Sequence, residues 1–253
     1  MKIGIIGYGN MGKIIEKIAL ERGHEISTII DPKNPKATHT EISKESLKDT
    51  DVAIDFTSPQ SALKNIEKTS SLRKNLVVGT TGWYDQLEKA RQIVAKNKTG
   101  LIYASNFSIG MNIFSRIVEN SAKIIDNFDQ YDVGGIELHH NKKADSPGGT
   151  AKALAEIIKK NIKRKNKIVY EMVDGQIKPE ELHFASARIG FIPGTHKIIM
   201  DSNADTIELT HTARNRDGFA LGAIFAAEWI RKKTGFYSVD DFMDELMKKG
   251  VTK

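Results

Sequence analysis

The stretch that most limits what this chain can fold into is Gly7-Tyr8-Gly9-Asn10-Met11-Gly12. It is a G-x-G-x-x-G set directly after the apolar run 3–6 and directly before a stretch with helical spacing, 11–22. Alone, the pattern says little, because glycines gather in any tight turn. With strand, loop and helix in this order it acquires a mechanism. Gly7 permits the tight turn, Gly9 lets a pyrophosphate approach the backbone, and Gly12 lets helix and strand pack closely. The helix start adds free N–H groups and the positive end of a dipole. Asp31 ends the second apolar run, at the place where a carboxylate accepts hydrogen bonds from the adenine-ribose hydroxyls. Gly7–Gly12 with Asp31 therefore predict a bound dinucleotide. The acid favours NADH over NADPH, since it repels a 2′-phosphate; Lys33 and Lys36 stand close by and keep NADPH open.

The rest of the first half repeats the same alternation. Apolar β-rich runs at 3–6, 26–30, 52–56, 76–78 and 101–103 alternate with helical spacing at 11–22, 59–72, 84–97 and 109–125. Such βαβ units cross over right-handed and build a parallel, doubly wound sheet. Beyond about residue 128 the order changes. Runs at 131–140, 184–189, 197–200 and 206–211 read as strands interrupted by one strong helix at about 150–164, which predicts a smaller α+β domain with a mixed or antiparallel sheet. Ile192-Pro193-Gly194-Thr195 has Pro and Gly where a type II turn wants them. Helical spacing returns at 219–233, with Phe219, Ala223, Ala226 and Ile230 on one face, and again at 239–248. The expected fold class is thus α/β: a Rossmann-type dinucleotide-binding domain over 1–108, completed by 217–253, and a substrate-binding and oligomerisation domain over 109–216.

Other loops follow strands of the predicted parallel sheet, where ligands bind in open α/β folds. These are Phe56-Thr57-Ser58, Gly79-Thr80-Thr81-Gly82 and Ser105-Asn106-Phe107-Ser108. Each alone reads as a helix cap. Together, at one sheet edge with Gly7–Gly12, they predict a cofactor groove.

The densest chemistry is Glu137-Leu138-His139-His140-Asn141-Lys142-Lys143-Ala144-Asp145-Ser146-Pro147-Gly148-Gly149-Thr150-Ala151, which runs from a strand through a polar loop into a helix. Neighbouring strand residues face opposite ways, so His139 and His140 take different roles. Two glycine N–H groups, the Thr150 hydroxyl and the helix dipole make a carboxylate site. The chain has no Cys. That excludes disulfide scaffolds, thiolate metal sites and a Cys nucleophile, and the adjacent histidines with one Asp match no usual zinc set, so no metal is expected.

This segment closely resembles the signature of the 4-hydroxy-tetrahydrodipicolinate reductase (dihydrodipicolinate reductase) family of bacterial and plant lysine biosynthesis, E-x-H-H-x-x-K-x-D-A-P-S-G-T-A. Glu137, His139, His140, Lys143, Asp145, Pro147, Gly149, Thr150 and Ala151 are in step; Ser146 stands where Ala is usual and Gly148 where Ser is usual. The Gly148 change removes a hydroxyl near the substrate carboxylate while keeping a backbone donor. The resemblance extends over the whole chain, through Gly7–Gly12, Asp55-Phe56-Thr57, Gly79-Thr80-Thr81-Gly82, Asn106-Phe107-Ser108 and Arg188 to Gly194-x-His196. It implies an NAD(P)H-dependent reductase in the diaminopimelate route, with a small dicarboxylate as substrate. Lys143 is then the proton donor and His139 the acid/base that supports it. His140, Gly149 and Thr150 hold the substrate carboxylates. The cofactor lies on Gly7, Tyr8, Gly9, Asn10, Met11, Gly12, Asp31, Gly79, Thr80, Thr81 and the stretch Ser105, Asn106, Phe107, Ser108. The resemblance further implies C-terminal helices returning to the first domain and a homotetramer built through the second-domain sheet. For Arg216 a cofactor contact and a surface ion pair are both open, Arg188 has no assigned role, His196 reads as structural or interfacial, and His211 as structural.

Two rival readings are another two-domain NAD(P)-dependent dehydrogenase and a non-catalytic dinucleotide sensor. The first would make the 137–151 pattern an accident. The second has no need of a proton donor.

A net charge of +6 leaves a nucleic-acid partner to be considered. Residues 139–167 carry nine Lys or Arg against Asp145 and Glu156, a local +7, and the remainder of the chain nets −1. A positive field around this segment suits an anionic substrate and a pyrophosphate; the distal lysines also suit a solvated helix end. No nucleic-acid-binding motif accompanies them. With 40% hydrophobic residues, and no apolar run near the roughly 18 residues of a membrane span, a cytoplasmic protein without a membrane partner is expected.

Overall fold

A computed structural model describes residues 1–250. The chain starts with β1 (Lys2–Ile6), α1 (Asn10–Glu21), β2 (Glu25–Ile30), β3 (Val52–Asp55), α2 (Pro59–Ser71), β4 (Asn75–Val78), α3 (Leu87–Asn97) and β5 (Gly100–Tyr103). It continues with α4 (Ile109–Ile125), β6 (Asp132–His139), α5 (Gly149–Asn161), β7 (Lys167–Val169), β8 (Glu181–Arg188), β9 (Thr195–Asp201) and β10 (Thr206–Thr212). It closes with α6 (Asp217–Ile230), β11 (Gly235–Ser238) and α7 (Val239–Gly250). Two compact units result: Met1–Ile109 together with the segment from Arg216 onward, and Gly110–Asn215. Among the described residues no helix is long and apolar enough to cross a membrane.

In the first unit six strands form a parallel sheet in the order β11-β5-β4-β3-β1-β2. Its strands are apolar on both faces because both are covered. Ile3, Ile5 and Ile54 lie in one cluster with Ile15 of α1 and Ala223 and Ala227 of α6, while Ile6, Ala53 and Leu76 lie in another with Ile66 of α2 and Val94 of α3. The chain runs from β1 outward to β2 and then back past β1 to β3. The loops after β1 and β3 therefore part at a topological switch point, where open α/β sheets bind ligands.

Sequence periodicity assigned α6 a single apolar face. The helix is instead buried nearly all round, with Ala220, Gly222, Ala223, Ile224, Ala226, Ala227 and Ile230 all inaccessible. Small residues let backbones come close. A methyl added at Gly222 would lie 1.7 Å from the Phe107 carbonyl oxygen. Gly222→Ala is expected to cost about 3 kcal/mol or more by overpacking. It should appear as a fall of several degrees in Tm; an unchanged Tm would show that α6 shifts freely.

The second unit is a mixed sheet in the order β10-β9-β6-β8-β7. β6 pairs parallel with β8 and antiparallel with β9. Its core joins Phe114 and Val118 of α4, Leu154 and Ile158 of α5, and Leu182, Phe184 and Ile198 of the sheet. Two strands escaped the sequence reading, β7 and β11, of three and four residues. β7 is too short to show a period, and in β11 only Phe236 and Tyr237 are apolar, between Gly235 and Ser238, so neither forms an apolar run like those of β3 to β5. The turn was also placed too late. It forms at Gly190-Phe191, where Ile192 N–H donates to the Ile189 carbonyl and Gly190 takes φ +51°. Gly194 has φ +154°, far from the roughly +80° of a type II turn, and leads directly into β9.

The basic run beyond α5 is largely engaged within this unit. Lys165 is 2% exposed, and its Nζ donates to the Pro179 and Glu181 carbonyls at 2.9 and 2.7 Å and meets Asp132 Oδ1 at 2.5 Å. Arg164 donates to the Tyr131 carbonyl at 2.7 Å, and Lys167 pairs with Glu181 at 2.7 Å.

Candidate active site

In the first unit the glycines of Gly7–Gly12 differ in what they face. Gly7, at φ +88°, would drive a Cβ to 2.3 Å from the Phe56 carbonyl oxygen, and Gly12 would drive one to 2.4 Å from the Gly7 carbonyl oxygen. Both are required by the fold itself. Gly9 has nothing within 4 Å of such a Cβ. Its bareness opens space over the start of α1, where the first-turn N–H groups have no intrahelical acceptor. That is the cradle a pyrophosphate fits. Gly9 and Asn10 are exposed and Met11 half-buried; Tyr8 turns inward, and its hydroxyl bonds Glu16. A cavity of about 530 Å³ adjoins the loop, lined by Gly7, Gly9, Asp31, Lys33, Ser58 and Lys64 among others.

Asp31 sits at the end of β2, with Oδ2 accepting from Tyr8 N–H at 2.8 Å and Oδ1 from Lys33 and Asn34 N–H at 2.8 and 3.0 Å. Burial works against its charge, yet the three backbone donors win and hold the carboxyl below the usual range. Asp31 thus shapes the loop as well as facing the cavity.

A fully buried carboxylate, Asp55, lies beneath the loops after β3 and β4. Its oxygens accept from Thr57 Oγ1, Thr80 Oγ1 and Asn65 Nδ2 at 2.7, 2.9 and 2.8 Å. Burial pushes its carboxyl up against those bonds. This fixes the loops after β3 and β4 to each other. It also takes the Thr80 side chain, 4% exposed, out of reach of a ligand, whereas Thr81 is exposed. Gly79 leaves room for the Phe56 ring, which a Cβ would approach to 2.1 Å. Of Ser105, Asn106, Phe107 and Ser108, the first is exposed, the second half-buried, and Phe107 and Ser108 are buried, with Phe107 part of the core.

The second unit gathers its chemistry around Glu137, which is fully buried. Residues two apart on β6 share a face, so Glu137 and His139 point together. Register then brings His196 of β9 opposite Glu137, and Ser186 and Arg188 of β8 opposite Glu137 and His139. Glu137 Oε1 accepts from Gly148 N–H at 2.8 Å, Ser186 Oγ at 2.9 Å and Arg188 Nη2 at 2.9 Å. Oε2 lies 3.3 Å from His139 Nδ1 and 3.7 Å from His196 Nε2. Burial would raise this carboxyl; His196, the Gly148 N–H, Arg188 and Ser186 hold it well below the usual range. Burial pushes the His139 imidazole down to about 4 against the pull of Glu137, with His196, Lys143 and Arg188 adding to the shift.

Lys143 and His140 occupy the loop leaving β6. Lys143 Nζ pairs with Asp145 Oδ1 at 2.5 Å, and Arg188 Nη2 donates to the Asp145 carbonyl at 2.6 Å, which ties the loop back to β8. Pro147 follows a cis peptide bond. His140 is half-buried just past the strand end. One expectation is corrected at Gly148, the N-cap of α5. Its N–H does not remain for a substrate, because it points inward to Glu137. A Cβ there would lie 2.8 Å from Glu137 Oε2, so the site is closed tightly around the carboxylate. The helix-start donors left for an anion are those of Gly149 and Thr150. A Cβ on Gly149 would meet nothing within 4 Å.

Sequence reasoning named Glu137, Arg188 and His196 without a role for the first two and with a structural or interfacial one for the third. Their convergence depends on pairing between strands far apart in the chain. Arg216 is exposed at the N-cap of α6. His211 packs against the Phe114 ring at 5.8 Å, and burial lowers its pKa.

Comparison with known proteins bears on the family and the fold. Residues 1–107 match the family model described as dihydrodipicolinate reductase, N-terminus, and residues 110–243 the one described as dihydrodipicolinate reductase, C-terminus. The chain is 40% identical over 251 residues to a 4-hydroxy-tetrahydrodipicolinate reductase of Christiangramia forsetii, covering 98% of this chain and all of the relative. It is 36% identical over 262 residues to the enzyme of that name from Archaeoglobus fulgidus, covering 96% and 100%. The fold superposes with a TM-score of 0.78 on a dipicolinate-bound dihydrodipicolinate reductase from Paenisporosarcina sp. TG-14, at 22% identity and covering 95% and 98% of the two chains. By sequence over nearly its whole length, the chain belongs to the dihydrodipicolinate reductase family.

Proposed function

We propose that this chain reduces 4-hydroxy-tetrahydrodipicolinate to tetrahydrodipicolinate with loss of water, using NAD(P)H, in the diaminopimelate route to lysine. The observation that carries the reading is the 137–151 segment folded around buried Glu137, in a chain that aligns end to end with reductases of that name. A nicotinamide dinucleotide supplies the hydride.

The chain's own residues do the rest. Gly9, Asn10, Met11 and Asp31, with the exposed parts of the loops after β4 and β5, hold the dinucleotide. His140 and the free N–H groups of Gly149 and Thr150 hold the substrate carboxylates. Once hydride has reached ring C4, the electron-rich ring takes up a proton, and a general acid must stand within hydrogen-bond reach. Lys143 gives that proton, and His139, oriented by Glu137, supports it. Asp31, with both oxygens already accepting backbone N–H groups, repels a 2′-phosphate less than a bare carboxylate would. Lys33 and Lys64 line the same cavity. The reading therefore takes both cofactors, with NADH somewhat favoured by the acid. It carries with it a cytoplasmic homotetramer, which light scattering on the purified chain reads directly.

The test is oxidation of NADH and of NADPH with substrate freshly formed from pyruvate and aspartate semialdehyde. Turnover with at least one cofactor is expected. No turnover with either overturns the reading.

A further inference from the structure

Three buried atoms of the second unit face one another: Glu137 Oε2, His139 Nδ1 and His196 Nε2. Each of the three residues brings a ligand atom within 4.8 Å of the other two residues' ligand atoms, and none of these three atoms has a hydrogen-bond partner. The Glu137 and His196 side chains are 0% and 6% exposed, and His139 is 13% exposed. Buried polar atoms in folded proteins nearly always find partners. A proton shared by His139 and Glu137 would satisfy two of these atoms and leave His196 Nε2 orphaned. A cation satisfies all three at once.

The distances suit one. Ligands at about 2.0–2.1 Å from a tetrahedral zinc ion stand roughly 3.3 Å apart, and the carboxylate oxygen lies 3.3 and 3.7 Å from the two ring nitrogens. Arg188, Ser186 and Gly148 all engage the other oxygen, Oε1, so Oε2 is held in place while its lone pairs stay free. The two rings stand edge to face at 5.3 Å and 76°, fixed by β6 and β9. Two imidazoles and one carboxylate match the preferences of zinc and its neighbours in the first transition row. The set differs from the adjacent histidines considered in the sequence, because His196 comes from another strand.

We propose that Glu137, His139 and His196 form a binding site for a divalent transition metal, with zinc as the physiological class of ion and a fourth position open to water. An ion there takes the Nδ1 of His139, so on the proposed reductase function turnover falls while it is bound. The neighbouring Arg188 and Lys143 charges oppose a further cation, which makes this a modest, reversible site rather than a permanent structural one.

Cobalt(II) reports the site without any substrate. Titrated into the metal-free full-length chain, it should bind at one ion per chain with the intense visible bands of tetrahedral coordination, and zinc should displace it. His196→Gln should weaken binding at least about tenfold, and His139→Gln should do the same; either suffices if the other variant fails to fold by circular dichroism. His39→Gln, on the first unit and outside the triad, should leave binding unchanged. Absence of cobalt binding at millimolar concentration overturns the site, leaving a water among the three atoms instead. So does binding that survives both variants. Because the bands are read without turnover, a failed reductase assay leaves this result standing, and a failed titration leaves the reductase reading standing.

Discussion

Replacing Lys143 by alanine should lower kcat by about two to four orders of magnitude, the range a positioned general acid contributes, while the KM for dinucleotide stays near its original value. The side chain is well placed to be lost without collapse of the site. Its Nζ meets Asp145, and its Cε would stand only 3.0 Å from a Cβ at Gly148, but the loop is held independently by Arg188 on the Asp145 carbonyl and by Gly148 N–H on Glu137. Lys143→Arg separates charge from proton donation. A guanidinium keeps the positive charge but does not deprotonate in proteins, so it cannot serve as the acid. Turnover should stay low in that variant even if substrate affinity returns. Single-turnover rates on chain whose Tm is unchanged make the comparison clean. Full activity in Lys143→Ala would remove Lys143 as proton donor and pass the role to His139.

The second large effect concerns stability. Lys165→Ala should destabilise the second unit by about 3 kcal/mol, in the range reported for breaking a buried charge pair. The cost has three sources. The Pro179 and Glu181 carbonyls each lose a charged donor. Asp132 loses its partner, though its own 66% exposure softens that loss. The lysine stem leaves a void beside β7 and β8. Lys165→Met restores the stem without the ammonium and should recover only the packing share. Hydrogen exchange would place the loss: amides of β7 and β8 should lose protection in Lys165→Ala while those of β1, β3 and β4 keep it. Equal protection in wild type and variant would mean the buried ammonium contributes no net stability.

These expectations rest on features of unequal visibility in the sequence. The glycine loop and Asp31 were legible because their chemistry is local. A turn that needs Gly7, a helix start at Asn10 and an acid at the next strand end all lie within one βαβ unit. Strands β1 to β5 of the first sheet were legible because burial on both faces makes their runs largely apolar, whereas the short β11 at its edge was not. Less was visible where the decisive partner is remote. Thr80 looked like a ligand or a cap, and it is a buried tie between Asp55 and Thr57 N–H. The lysines after α5 looked like a solvated end or a field for anions. Lys165 instead reaches inward across the unit, and Arg164 caps carbonyls beyond α4.

By itself, then, the sequence determined the two kinds of sheet, the glycine loop at Gly7–Gly12 at the start of a helix, and the candidate set His139, His140 and Lys143. All follow from periodicity and from residue types within a few positions of each other. Only the tertiary structure decided that Glu137 is the centre of the candidate site, that Gly148 turns its N–H inward, and that His196 joins His139 at one carboxylate oxygen. The physical reason is strand register. Pairing of β6 with β8 on one side and β9 on the other sets which side chains share a buried face, and no local pattern in the chain encodes which residues those pairings bring together.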